Sequence, residues 1–102
     1  MMTGSLGILV SSCDHLDKII SLLKAAKKKE VDVTIFLTHL GTLLTQEPRF
    51  QELEGLAEIA ICRVGFESNG MTQPVAGIDE DNYATQIRHA DMIHECDRYV
   101  VF

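Results

Sequence analysis

At 102 residues and 11.4 kDa, with 46 % hydrophobic and 24 % charged residues, the chain has the size and balance of one small globular domain spanning residues 1–102. Its 9 Lys and Arg against 15 Asp and Glu give a net charge of -6, which argues against nucleic acid or an anionic membrane surface as partner. The 3 cysteines, an odd number without paired spacing, do not make a secreted disulfide scaffold and point to reduced thiols.

The segment Val10-Ser11-Ser12-Cys13 has the look of a lipoprotein processing site. No Lys or Arg precedes it, however, and the apolar stretch Leu6–Val10 is short and contains a glycine. No apolar run approaches the ~18–20 residues of a membrane span. The expectation is a cytoplasmic protein.

In chain order, Leu6–Val10 predicts a buried strand. Leu16, Ile19, Ile20, Leu23 and Ala26 then recur at helical spacing, with Asp14 as the expected N-cap. Lys24, Lys27, Lys28 and Lys29 sit toward the negative end of that helix, so they need no ligand to explain them. Val31–Leu37, rich in β-branched residues, predicts a second buried strand. Leu40, Leu43 and Leu44 suggest a short helix, and Pro48 opens another that runs through Leu53, with Gly55 past its end. Ile59–Cys62 reads as the third strand, and Arg63 to Gly70 as a brief helix or turn closed by Asn69-Gly70. Pro74–Ile78 reads as a short extended segment or a loop. Asp79 is the expected N-cap of a last helix whose inner face carries Tyr83, Ile87, Ala90 and His94. Arg98–Phe102 is the last strand.

Alternating strands and helices, with near-continuous apolar strands, predict a parallel sheet covered on both faces. The fold class is therefore α/β: a three-layer flavodoxin-like sandwich with a four- or five-stranded, mainly parallel sheet.

Ligands of such sheets bind beyond the carboxyl ends of the strands. Three of those ends carry reactive side chains: Cys13, Asp14 and His15 after the first strand, His39 after the second, and Cys62 with Arg63 at the third. Cys62 is the leading candidate. A strand passing into a helical turn surrounds its sulfur with backbone N–H groups, and Arg63 adds a positive neighbour; such settings lower a thiol pKa from about 8.5 to ~4–7. Cys62 also reads as a small hydrophobe closing a buried run. Cys13 is a candidate second or resolving thiol if its strand neighbours that of Cys62, because a disulfide needs Cα atoms within about 7 Å. His15 and His39 are candidate proton shuttles or loop residues. Cys96 falls at the opposite edge of the sheet, as packing. A Cys13–His39–Cys62 metal set is conceivable but has no motif behind it, and neither a P-loop nor GxGxxG is present. No metal or cofactor is expected.

The chain resembles the DsrE/DsrF-like family of small sulfur-relay and related proteins over nearly its whole length. The resemblance rests on Gly7-Ile8-Leu9-Val10, Val33-Thr34-Ile35-Phe36-Leu37 with the polar loop after it, and Ile61-Cys62. It continues through Ala90-Asp91-Met92-Ile93 and Cys96-Asp97-Arg98-Tyr99-Val100-Val101-Phe102. It implies a three-layer α/β fold, homotrimers or homohexamers, sulfur donor and acceptor proteins as partners, and a persulfide-carrying cysteine, by position Cys62. Two other readings stand beside this sulfurtransferase-type activity: a non-catalytic binding or assembly subunit, and a thiol-redox protein using Cys13 and Cys62. Leu40, Leu43, Leu44, Phe50, Phe66, Met71 and Val75 look peripheral in sequence and supply the expected oligomer contact.

Overall fold

A computed structural model describes residues 4–71, 75, 78 and 80–102. Five strands, β1 (Ser5–Val10), β2 (Asp32–Leu37), β3 (Glu58–Cys62), β4 (Tyr83–Ala84) and β5 (Arg98–Val101), form one all-parallel sheet in the order β4-β3-β2-β1-β5. The helices are α1 (Leu16–Lys28), α2 (Arg63–Ser68) and α3 (Gln86–Glu95), with 3-10 turns at His39–Gln46, Pro48–Leu53 and Glu80–Asn82. The class is the expected flavodoxin-like α/β sandwich, and the sheet is five-stranded and wholly parallel.

The order decides which face each connection covers. From β1 to β4 the chain steps steadily one way across the sheet, so right-handed crossovers keep α1 and the 3-10 turns on one face. The last crossover, from β4 to β5, travels the other way and puts α3 on the opposite face. Strand register agrees. Ile8, Ile35 and Ile59 align across three strands and join Leu16, Ile19, Ile20 and Leu23 of α1 in the main core. Leu9, Phe36 and Ala60, one residue on, form the other face with Cys62 and Met92.

Close approach at the end of β1 demands a glycine. A Cβ on Gly41 would lie 2.1 Å from the Val10 carbonyl oxygen, so the 3-10 turn after β2 seats against β1 only without a side chain there. Outside the core, Arg49 pairs with Asp17 and, at 2.8 Å, with Glu52, which also meets Lys24 at 3.6 Å; this ties α1 to the second 3-10 turn.

Several expectations are corrected. His15, not Asp14, is the N-cap of α1, and no side chain bonds to that helix start. The last helix begins at Gln86, where the Thr85 hydroxyl accepts from the Ile87 N–H at 3.3 Å; Asp79 lies outside the described residues. Tyr83, expected in that helix, is instead in the two-residue strand β4. The helix face is rotated too: Ile87 is 72 % exposed and Ala90 and His94 are exposed, whereas Met92 is buried and His89 stacks on Phe36 at 5.5 Å. Of the Pro74–Ile78 segment, Val75 and Ile78 are buried outside any strand, and Pro74, Ala76 and Gly77 lie outside the described residues. Finally, Leu44, Phe50, Phe66, Met71 and Val75 are buried in the subunit's own core and Leu43 is half-buried, so they are not an interface. Only Leu40 of that group is exposed.

Candidate functional site

Cys62 ends β3 and serves as the N-cap of α2. Its sulfur accepts a hydrogen bond from the Gly65 N–H at 3.4 Å, because the chain turns into helix directly after the strand. The residue is 6 % exposed and packs with Phe36, Ala60 and Met92 on the α3 face. It also forms part of the wall of a cavity of about 680 Å³ at the carboxyl ends of β2, β3 and β4. Thr38, His39, Leu40, Arg63, Val64, Ser68, Asn69, Ala84 and Thr85 complete the lining with Gly65.

His39 reaches this cavity through an unusual backbone. Its φ of 48° is left-handed, a conformation uncommon outside glycine that Asn, Asp and His adopt more often than other residues. The loop is pinned by its carbonyl, which accepts from Thr42 Oγ1 and Asn69 Nδ2, each at 2.9 Å; Asn69 also donates to Thr42 Oγ1 at 2.8 Å. Gly65 passes so close that a Cβ there would lie 3.2 Å from the His39 nitrogen. The loop after β2 and helix α2 are thus held as one unit around the sulfur.

Arg63 lines the cavity, and its guanidinium is anchored on β4. Its Nη2 donates to the Tyr83 carbonyl at 3.1 Å, and its guanidinium lies 5.9 Å from the centre of the Tyr83 ring. A backbone amide meets the sulfur, as the strand-to-helix turn predicts, whereas the Arg63 guanidinium takes its acceptor on β4.

Cys13 and His15 are elsewhere. Both follow β1, and β2 stands between β1 and β3, so two strand spacings, about 9–10 Å, separate the strands that lead to Cys13 and Cys62. The condition for a Cys13–Cys62 disulfide, neighbouring strands, is not met. The Cys13 thiol lies 3.9 Å from Asp14 Oδ1, and the His15 ring packs on Phe102 at 5.9 Å. Among the described residues no group of three or more His, Cys, Asp or Glu could hold a metal ion. Cys96 lies near the head of β5, where a Cβ on Gly7 would come within 2.9 Å of its sulfur; it packs, as expected.

Sequence reasoning missed Asn69, Thr85 and Ala84. Asn69 stood out only as a turn residue. Ala84 lies beside Cys62 through the β3–β4 pairing, a contact invisible while Tyr83 was assigned to a helix. No helix among the described residues is long and apolar enough to cross a membrane. No family model matches the chain, and no curated protein matches it.

Proposed function

We propose that this protein is a sulfur-relay carrier that holds sulfane sulfur as a persulfide on Cys62. One observation carries the reading: the Cys62 sulfur accepts an amide N–H in the wall of an open, largely apolar cavity at the carboxyl edge of the sheet. The DsrE/DsrF-like resemblance places the carrier cysteine at the same position.

The Cys62 thiolate attacks the outer sulfur of a donor persulfide. The donor's S–S bond breaks, its inner sulfur leaves as a thiolate, and a new S–S bond joins Cys62 to the transferred sulfur. No oxidant, metal or cofactor is consumed. The Gly65 amide stabilises negative charge on sulfur, and His39, in the same cavity, is the proton shuttle. Arg63 contributes a fixed positive wall through its anchor on β4. His15 and Cys13 have no part in this step. The resemblance further suggests a cytoplasmic homotrimer or homohexamer, with donor and acceptor proteins docking where Leu40 and Val64 ring the cavity.

Incubation with a sulfane-sulfur donor adds about 32 Da, one sulfur atom, to the intact mass. The proposal fails if Cys62→Ala keeps that adduct.

The burial of Cys62 against Phe36, Ala60 and Met92 favours a second reading, a non-catalytic binding or assembly subunit. Labelling of Cys62 by a thiol reagent only as fast as the protein unfolds supports that reading; faster labelling supports the carrier.

A further inference from the structure

The two ends of the sheet are unlike. At the β4 end the edge is only two residues long, Tyr83 and Ala84, which blunts it against further pairing. At the other end, among the described residues, β5 pairs with β1 alone, and all four of its residues are exposed, with Val101 at 57 %. Its sequence, Arg98-Tyr99-Val100-Val101, has high strand propensity and no proline, and its one charged residue, Arg98, opens the strand.

Backbone direction fixes what the edge offers. Phe102 donates to the Leu9 carbonyl and accepts from the Ser11 N–H, both at 2.8 Å. Polar groups of alternate residues point the same way, so those of Val100 also face β1, and those of Tyr99 and Val101 face outward. No hydrogen bond from a described residue reaches those outward groups.

We infer that β5 is a two-fold interface with a second copy of this chain, joining the sheets through an antiparallel β5–β5 ladder, as in a dimer or between the two halves of a homohexamer but not within a homotrimer. The strand is complementary to itself. Centred on Val100, a two-fold axis brings Tyr99 of each copy opposite Val101 of the other, and each such pair exchanges both of its N–H···O bonds. Tyr99 and Val101 lie on the same face, so an aromatic ring meets a β-branched side chain across the strands, and Val100 meets Val100 on the other face. No like charges are opposed. His89 Nε2, 2.8 Å from the Tyr99 hydroxyl, holds that ring in place. The interface is independent of the sulfur chemistry, because β5 lies at the far side of the sheet from β3.

The test uses the full chain. In the ladder the two Val100 Cα atoms lie about 4.5 Å apart, within the reach of a disulfide. Val100→Cys under mild oxidation is expected to give a covalent dimer whose linked peptides both contain position 100. Val101→Pro removes an outward N–H while leaving the β1 ladder intact, and Val101→Lys charges the edge. Each should halve the sedimenting mass at micromolar concentration with an unchanged far-UV spectrum. A monomeric parent protein, or a parent assembly that both position-101 variants preserve, overturns the inference. So does an introduced thiol that pairs only with native cysteines or with none.

Discussion

On the α1 face of the sheet, Ile8, Val10, Ile35, Leu37, Ile59 and Ile61 are buried against a full helix and two 3-10 turns; on the α3 face the buried hydrophobic cluster among the described residues is Phe36, Ala60, Cys62 and Met92. The first face holds most of the apolar area and so most of the hydrophobic stabilisation. The second is a thin layer closed by one helix that contributes a single buried hydrophobic side chain, Met92. The candidate sulfur lies in the thin layer. The two faces of the sheet are thus unequally covered, and a layer with few buried contacts opens at lower cost.

Substitutions on the two faces are expected to differ in cost. Leu23→Ala, fully buried on the thick face, is expected to cost about 4 kcal/mol in denaturant unfolding. Gly41→Ala drives a methyl group into the Val10 carbonyl and should cost about 3 kcal/mol. Met92→Ala thins the layer over Cys62 at a cost of about 2 kcal/mol and raises the labelling rate of Cys62. If Met92→Ala costs as much as Leu23→Ala, the two faces are not energetically distinct.

The smallest effect concerns the exposed cluster on the thick face. The hydrogen bond from Arg49 holds the Glu52 carboxyl below its ordinary range, opposed by some desolvation. A depressed carboxylate stabilises the fold above its unfolded value, about 4.3, and loses that contribution as pH falls through the folded value. Glu52→Gln should therefore lower Tm slightly at pH 7, and the gap to the parent should close as pH drops below 4. A gap that persists in acid means that Glu52 acts by packing, not charge.

Much of the architecture was legible because long strands and α1 carry strong periodicity. Ile59–Cys62 and Leu6–Val10 are apolar runs too short for a buried helix and so suit buried strands, and α1 shows five inward residues at helical spacing. β4 was not legible: two residues cannot display a period of two, and a buried Tyr83 suits a helix as well as a strand. The face of α3 was misread because Ile87, Ala90 and His94 make a regular stripe, yet the Thr85 cap and the His89–Phe36 stack turn that stripe outward. In the site, Cys62 and His39 were found because one ends a strand and the other lies just past one. Cys13 and His15 also follow a strand end, and only the strand order, a long-range property, removes them from the cavity. Arg63 was placed beside Cys62 by sequence adjacency, but its side chain followed the acceptor on β4.

The three thiols differ in exposure. Cys13 and Cys96 are half-buried and Cys62 is buried, so simple accessibility ranks Cys62 last. Treatment of the native protein with limiting sulfane-sulfur donor, followed by blocking, digestion and peptide mass analysis, reads the site directly. The account predicts that the added sulfur, about 32 Da, resides on the Cys62 peptide ahead of the other two. Sulfur on Cys13 or Cys96 in preference, or on none of the three, would contradict it.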